Sequence, residues 1–202
     1  MTVDEGYTKF AIDWTPGPAP DHSLTNLLDI WRKPLHEAGL IGHYADLGIG
    51  FGNISIRFSE PGQFVISGTQ TGHLAETGSE HYALVTSYDI AGNHVSCTGP
   101  VQASSESLTH AAIYELDPGI NAVVHVHSKQ LWNKLLDRVP TTGPDVAYGT
   151  PEMAYELVRL YQSSEFADSG VAVMAGHEEG IISIGGTLEQ AVLQILQTSR
   201  NN

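Results

Sequence analysis

Two histidines lie two residues apart in the segment NAVVHVHS, residues 121–128. In a β-strand, side chains two residues apart point to the same face, so His125 and His127 would lie side by side while Val124 and Val126 point the other way. Paired imidazoles on one face suit either of two roles. They can be hydrogen-bonded histidines at the end of a buried strand, or they can be ligands of a metal ion.

Two further residues could complete a metal site, which usually takes three or four His, Cys, Asp or Glu ligands. His177, in MAGHEEG, lies between two apolar segments, where a strand end could present it, although surface turns also carry histidines. Glu106 begins the predicted helix that leads into the histidine strand, and the helix dipole alone favours a carboxylate there. The one cysteine, Cys97, lies on a predicted hairpin strand. A site with nitrogen and oxygen ligands is therefore the metal hypothesis.

Three loops rich in glycine or serine are candidates for binding an anion. Ser104 and Ser105 precede the helix of Glu106, where hydroxyl groups lie beside unpaired backbone N–H groups. The segments GIGFGN, residues 48–53, and SGTQTG, residues 67–72, are similar in composition. The first does not match G-x-G-x-x-G and precedes a strand instead of a helix, which argues against dinucleotide binding. Each loop taken alone is also typical of a simple turn.

The elements that must position these residues follow from hydrophobic periodicity and turn signals. Ser23 is the predicted cap of the first helix, and Pro34 is expected to kink or divide it. Strands clustered centrally, with helices before, between and after them, predict one α/β (α+β) domain with a mainly antiparallel sheet. Helices are predicted at 23–40, 104–117, 129–138, 151–162 and 187–200, and strands at 53–58, 63–68, 83–90, 94–99, 122–127, 171–176 and 180–185.

Length and composition indicate one globular domain with an N-terminal extension. The chain has 202 residues, 41% of them apolar and 16% charged, which suffices for a sizeable core. Pro16, Pro18 and Pro20 make residues 1–21 an extended arm that either lies over the domain or reaches a neighbouring subunit, with a frayed tail as the alternative. Residues 22–202 are expected to form the single domain.

The charge of the chain excludes several classes of partner. Twenty-three acidic residues against nine basic ones give a net charge of −14. Neutralising phosphates needs clustered Lys and Arg, so neither a nucleic acid nor an anionic membrane is an expected partner. There is no apolar run of membrane-spanning length, and the acidic N-terminus does not resemble a secretory signal. With a single cysteine, a cytoplasmic location is expected.

The motifs GNISIR, VISGTQTG, SSES, VVHVHS and AGHEEG, in this order, resemble those of the class II aldolase/adducin family. The resemblance runs from about residue 24 to the end of the chain. It implies a three-layer α/β/α fold with a central, mainly antiparallel sheet. It also implies a metal site of three histidines and a glutamate, here His125, His127, His177 and Glu106. Zinc is the expected metal, and iron, manganese or cobalt would also suit such ligands.

The resemblance implies a zinc-dependent aldehyde-lyase that cleaves a small hydroxy-carbonyl sugar, which is expected to be phosphorylated, through a metal-stabilised enediolate. Glu106 would then also move protons as base or acid. Other members of the family epimerise, dehydrate or decarboxylate sugar phosphates at the same kind of site, and HVHSK is similar to the dehydratases. Adducin-type domains lack the metal ligands and act as interaction modules, so the presence of all four favours an enzyme.

The resemblance also implies a substrate pocket and an assembly. The residues implied to surround a terminal phosphate are Gly52, Asn53, Ser67, Gly68, Ser104 and Ser105. The segment ISGT replaces the Thr-Pro-Ser/Thr-Gly of many relatives, so a hydroxyl or carboxylate could take the place of the phosphate. A homo-tetramer is implied, in which a tyrosine reaches the site of a neighbouring subunit, and Tyr148 of DVAYGT is the candidate.

Overall fold

The computed structural model of the chain describes residues 7–200, and the part of the predicted arm before residue 7 lies outside them. Its ten strands are, in chain order, Ala11–Pro16 (β1), Gly42–Tyr44 (β2), Ile49–Phe51 (β3), Asn53–Arg57 (β4), Phe64–Ser67 (β5), Tyr82–Asp89 (β6), His94–Gly99 (β7), Ala122–His127 (β8), Val171–Val173 (β9) and Gly180–Gly185 (β10). Eight of them form one sheet in the order β1-β7-β6-β5-β4-β8-β10-β9, while β2 and β3 form a separate hairpin.

Six α-helices accompany the strands within the described residues. They are His22–Glu37 (α1), Ser107–Leu116 (α2), Lys129–Leu135 (α3), Pro151–Ser163 (α4), Phe166–Ser169 (α5) and Leu188–Arg200 (α6). Every neighbouring pair of strands in the large sheet is antiparallel except β1 and β7.

Two apolar cores lie on opposite faces of the sheet. One joins the sheet to α2 and α4 and includes Val123, Leu108 and Leu157. The other joins it to α1, α3 and α6 and includes Val124 and Leu28. Helices thus cover both faces because the strands alternate between two apolar surfaces. The predicted three-layer α/β/α arrangement with a mainly antiparallel sheet is confirmed.

Strand β8 carries the paired histidines through the middle of the sheet. It is hydrogen-bonded to β4 on one side and to β10 on the other. Val124 and Val126 belong to the core under α1, α3 and α6, whereas Val123 belongs to the opposite core. The period of two places His125 and His127 on the face of Val123, toward α2.

The N-terminal arm supplies an edge strand that sequence reasoning did not anticipate. Residues 11–16 pair in parallel with β7, in register from Ala11 opposite His94 to Pro16 opposite Gly99. Proline is compatible with this position because an edge strand need not donate to a further neighbour.

Helix α1 differs from expectation at its start and in its middle. The capping side chain is Asp21, which accepts a hydrogen bond from the Ser23 N–H, so the predicted Ser23 cap is wrong. The helix also continues through Pro34 as one element. The bond that proline removes would go to the carbonyl of Ile30, a residue that is 55% exposed, so water can satisfy that carbonyl.

Candidate metal centre

The rings of the two strand histidines meet at the end of β8. Their Nε2 atoms are 3.0 Å apart, and the ring planes are nearly perpendicular. Both residues are almost fully buried, at 1% and 2% exposure. The predicted placement of His125 and His127 on one face is thus what the strand produces.

His177 reaches the same point from the turn between β9 and β10. Its ring stacks on that of His125 at 5.0 Å and meets that of His127 at 4.7 Å. The turn is closed by a hydrogen bond from the Gly180 N–H to the His177 carbonyl. A Cβ at Gly180 would lie 3.0 Å from His177 Nδ1 and 3.1 Å from His125 Cε1, so this glycine makes room for both rings.

Burial keeps the strand histidines neutral. Desolvation lowers the pKa of His125 and of His127 well below 6.5, and the neighbouring imidazoles lower it further. Neutral imidazole, with a lone pair on one nitrogen, is the form of histidine that binds a metal.

The donor set fits a divalent metal ion. His125, His127 and His177 each offer a nitrogen, and these atoms all lie within 4.8 Å of one another. Two nitrogens bound tetrahedrally at zinc distances would be about 3.4 Å apart, close to the 3.0 Å between the strand histidines. Three nitrogens with room for further ligands is the pattern of a catalytic rather than a structural site.

Glu106 approaches this cluster from the start of α2. Its backbone is at φ −100°, ψ 4°, just before the helix, and its side chain does not cap the helix. One carboxylate oxygen, Oε1, lies 3.6 Å from His177 Nδ1, and the residue is 3% exposed. Glu106 is not part of the group whose ligand atoms all lie within 4.8 Å. It stands beside the three histidines rather than among them.

A cleft opens next to Glu106 and His125. Five of the six residues implied to surround a substrate phosphate line it: Gly52, Asn53, Gly68, Ser104 and Ser105. Asn53 lies opposite His125 in the pairing of β4 with β8. Its Oδ1 is buried and has no hydrogen-bond partner, which leaves this oxygen for a ligand. Ser67 is not among the residues that line this cleft, and its hydroxyl oxygen accepts a hydrogen bond from the Ile54 N–H.

Tyr148 lies inside its own chain, which corrects its predicted position at a neighbouring subunit. Its ring stacks on His177 at 4.3 Å and is 1% exposed. Lys9 Nζ lies 4.0 Å from the ring centroid, and the hydroxyl is hydrogen-bonded to the backbone of Tyr7. The arm and His177 together cover Tyr148, so the ring has no surface left for another subunit.

Sequence reasoning missed three residues near His127, two of which contact its ring. Phe51 stacks on the His127 ring at 5.4 Å, and the Tyr44 hydroxyl lies 3.1 Å from His127 Nδ1. Glu179 in turn accepts a hydrogen bond from Tyr44. Two acidic residues directly after His177 were the available signal for Glu179, whereas nothing in the sequence marks the hairpin that carries the two aromatic residues.

The chain thus combines a three-layer α/β/α fold with three histidines whose nitrogens converge beside the central strand β8, and comparison with known proteins identifies its family. The Class II Aldolase and Adducin N-terminal domain family matches residues 47–200. The chain belongs to this family.

Solved structures with this fold include several aldolases. The chain is 19% identical to an L-fuculose 1-phosphate aldolase, with a TM-score of 0.64 over 90% of this chain and 85% of that one. It is 16% identical to a sugar-phosphate aldolase from Thermotoga maritima, with a TM-score of 0.66 over 89% and 93%. For YgbL from Klebsiella pneumoniae, whose candidate activities are aldolase, epimerase and decarboxylase, the identity is 18% and the TM-score 0.65 over 88% and 87%. At these identities the likeness establishes the fold. Among the described helices, none has the length and apolarity to cross a membrane.

Proposed function

We propose that this protein is a metal-dependent lyase, an aldolase that cleaves a carbon–carbon bond of a small hydroxy-carbonyl sugar. The observation that carries the proposal is the meeting of three buried histidine nitrogens within 4.8 Å with a buried carboxylate beside them and a polar cleft in front. An interaction module would have no need for buried ionisable groups, which are costly unless they bind a ligand or one another.

The metal is zinc in this proposal, held by His125, His127 and His177, with Glu106 as a fourth, exchangeable ligand. Three imidazoles with a carboxylate nearby suit zinc better than calcium or magnesium, which prefer oxygen ligands. When bound, the cation would supply a Lewis acid that polarises a carbonyl oxygen. The histidines orient it, and the neutral state that burial gives them matches their role.

Glu106 is the proposed proton carrier. Its carboxylate lies at the junction of the histidine cluster and the cleft, so one side chain can reach both the metal ligands and a bound substrate. The side chain does not cap α2. General acid–base catalysis needs such a group within hydrogen-bond reach of the proton that moves.

The terminal group of the substrate is proposed to be a phosphate. The N-terminus of α2, the hydroxyls of Ser104 and Ser105, and the side chain of Asn53 face one cleft. No lysine or arginine lines that cleft among the described residues, so an anion would be held by hydroxyl and N–H donors and by the helix terminus. The N–H of Gly68 already donates to the His81 carbonyl, so in this proposal the hydroxyls of Ser104 and Ser105 carry more of the binding.

The proposed activity is tested with metal-loaded protein and a panel of sugar phosphates and free sugars, assayed for aldehyde release. The decisive variant is Glu106→Gln, which keeps the shape and one oxygen but cannot exchange protons. We expect it to retain metal and to lose turnover by about 10²–10⁴-fold, the usual contribution of such a group. Glu152→Gln, an exposed glutamate in the first turn of α4, is the matched control. Near-normal turnover of metal-loaded Glu106→Gln would remove Glu106 from the chemistry.

The phosphate is tested by calorimetry that compares dihydroxyacetone phosphate with dihydroxyacetone. A charge-assisted hydrogen bond contributes about 1.5–3 kcal/mol, so even one should separate the two affinities by roughly tenfold or more. Ser105→Ala should reduce that preference, because Ser105 lies in the cleft and is only partly buried. Equal affinities for both ligands in the unmodified protein would leave an enzyme for unphosphorylated hydroxy-carbonyl compounds.

Epimerisation, dehydration and decarboxylation at the same metal site form the second candidate function. The likeness to YgbL favours keeping it, since aldolase, epimerase and decarboxylase are that protein's candidate activities. Product analysis separates the reactions: an aldolase releases two carbonyl fragments, an epimerase returns an isomer of equal mass, and the other two lose water or carbon dioxide.

The family also motivates a proposed homo-tetramer in the cytoplasm. Exposed apolar side chains on α1, at Leu27 and Ile30, are compatible with contact between copies. Light scattering at micromolar concentration distinguishes the two states, since a monomer has a mass of 21.7 kDa and a tetramer about four times that. A monomer at all concentrations would contradict the assembly.

A further inference from the structure

A chain of hydrogen bonds leads away from the metal centre through His127. The Nδ1 atom of His127 is 3.1 Å from the hydroxyl oxygen of Tyr44. That hydroxyl in turn donates to Oε2 of Glu179 at 2.8 Å. The partners are 83 and 135 residues apart in the sequence, so the fold, and not local structure, brings them together.

The direction of these bonds fixes the state of the His127 ring. Tyr44 has one hydroxyl proton, and it points to the Glu179 carboxylate. The tyrosine oxygen must then accept from His127, so the proton of the neutral imidazole lies on Nδ1. This leaves the lone pair on Nε2, the atom that lies 3.0 Å from His125 Nε2 inside the cluster.

The surroundings hold this chain in place. Tyr44 packs on Phe51 at 4.6 Å between ring centroids, and Phe51 stacks on His127. Glu179 has a left-handed backbone, with φ +70°, a conformation that non-glycine residues rarely adopt. Its carbonyl accepts a hydrogen bond from the N–H of Ser128, the residue after His127. The backbone bond from Ser128 and the side-chain bond from Tyr44 hold Glu179 between β8 and the hairpin of β2 and β3.

The neighbouring glutamate shows how specific this arrangement is. Glu178 is 65% exposed and pairs with Lys129 at the surface. Glu179 is partly buried and turns its side chain toward the hairpin. Two chemically identical side chains in succession therefore face different environments.

We propose that Tyr44 and Glu179 are positioning residues that hold His127 in the tautomer and orientation needed to bind the metal, in the metal centre proposed above. They touch neither the substrate cleft nor the cation. Outer partners of this kind raise the basicity of a ligating histidine and fix its ring, and their loss typically weakens metal binding 10–100-fold.

The first test removes the hydroxyl and keeps the aromatic ring. Tyr44→Phe retains the contact with Phe51 but gives His127 no acceptor. We expect its zinc affinity, measured by competition with a chromogenic chelator, to fall 10–100-fold, and the visible spectrum of its Co²⁺-loaded form to change. Tyr155→Phe is the control, because Tyr155 is a 51% exposed tyrosine on α4. Neither readout requires catalytic activity.

The second test uses the glutamate. Glu179→Ala removes the acceptor for the Tyr44 proton and should lower zinc affinity as Tyr44→Phe does. Glu179→Gln keeps an oxygen that can accept this proton, so it should lose less. The double variant Tyr44→Phe/Glu179→Ala should lose little more than either single variant, because both act through one chain of bonds. Glu178→Gln is the matched control and should bind zinc as the unmodified protein does.

The outcomes separate this inference from the metal site itself. If the unmodified protein bound no divalent metal, both would be wrong. If it bound zinc tightly and Tyr44→Phe bound it equally well, the metal centre would stand and the positioning role would be refuted. Equal losses in Glu179→Gln and Glu179→Ala, or fully additive losses in the double variant, would also refute the hydrogen-bond chain.

Discussion

His110 is expected to make the protein sensitive to mild acid. It lies on α2, is fully buried, and contacts Ser55 Oγ through Nδ1 at 2.7 Å, while Ser55 also bonds to the Tyr114 hydroxyl. Its Nε2 is buried and has no hydrogen-bond partner. Charging the ring would place an N–H without an acceptor in an apolar interior, and this burial lowers the pKa of His110 from 6.5 to about 3.

The sign and size of the effect follow from proton linkage. Above pH 6.5 neither state of the protein holds the extra proton, and stability does not depend on it. Between pH 6.5 and about 3 the unfolded chain binds the proton and the folded protein does not, so acid favours unfolding. At pH 5 the free energy of unfolding is lower by about 2 kcal/mol, as these two pKa values give at about 1.4 kcal/mol per pH unit.

The assay is urea unfolding of the metal-free protein at pH 8 and pH 5, comparing the unmodified chain with His110→Phe. The phenyl ring fills the same space without titrating, and Ser55 keeps Tyr114 as its partner. The other buried histidines are present in both proteins, so their contributions largely cancel in the difference; His110 is only a minor cause of the lowered pKa of His125, after burial and the other two imidazoles. Between pH 8 and pH 5 we expect the free energy of unfolding of the unmodified protein to fall by about 2 kcal/mol more than that of the variant. This difference is equivalent to roughly 4–8 °C in Tm for a chain of this size.

Two further variants serve as controls for this measurement. His110→Gln provides a second non-titrating side chain should the phenyl ring disturb packing, and it should show the same smaller acid loss. His22→Gln, at an exposed histidine at the start of α1, should behave as the unmodified protein does. If His110→Phe and His110→Gln lost as much stability between pH 8 and pH 5 as the unmodified chain, the assigned cause would be wrong.

Three other substitutions give direct outcomes. His125→Ala should leave the purified protein without stoichiometric zinc when its metal content is measured, because it removes one of three nitrogens; full occupancy would refute the ligand assignment. Gly72→Ala should destabilise the protein by about 1–3 kcal/mol in chemical unfolding, because a Cβ would lie 2.0 Å from the Gly42 carbonyl oxygen. Unchanged stability would show that the hairpin of β2 and β3 moves to make room for the methyl group. Arg32→Met should cost about 1–3 kcal/mol, because the buried guanidinium donates to the carbonyls of Leu74 and Thr71; a neutral result would mean that water replaces these bonds.

The placement of the strand histidines could be predicted because it depends on one local rule. A period of two puts His125 and His127 on one face whatever the strand pairs with. Apolar residues on both sides of the motif also indicated a strand covered on both faces, as β8 is. The position of His177 could be predicted for a related reason, since a turn between two apolar strands must lie at the end of a sheet.

The convergence of these residues depends on sheet order, which no local pattern contains. Strand β8 lies between β4 and β10, although these strands are far apart along the chain. That order brings Asn53 opposite His125 and places the turn of His177 at the same edge. Before the structure, only the resemblance to a family joined the five motifs into one site.

Ser67 and Tyr148 show what resemblance alone leaves open. The resemblance implies that Ser67 lies near a substrate phosphate, and in the structure its hydroxyl oxygen, on the last residue of β5, accepts a hydrogen bond from the Ile54 N–H. Tyr148 was placed between subunits by analogy, but here the arm folds over it. A motif specifies residue types, while the environment of a side chain depends on how the rest of the chain packs around it.

The hairpin of β2 and β3 was beyond sequence reasoning for a different physical reason. Its strands are three residues long and pair only with each other, so they carry no alternation that distinguishes them from a loop. Their position is set instead by close backbone contact, since Gly50 lies against Gly72 and its N–H donates to the Gln70 side chain. Glycine therefore acts in GIGFGN mainly by letting two loops approach. That approach brings Phe51 and Tyr44 to His127, so the loop supports the histidine cluster as well as lining the cleft.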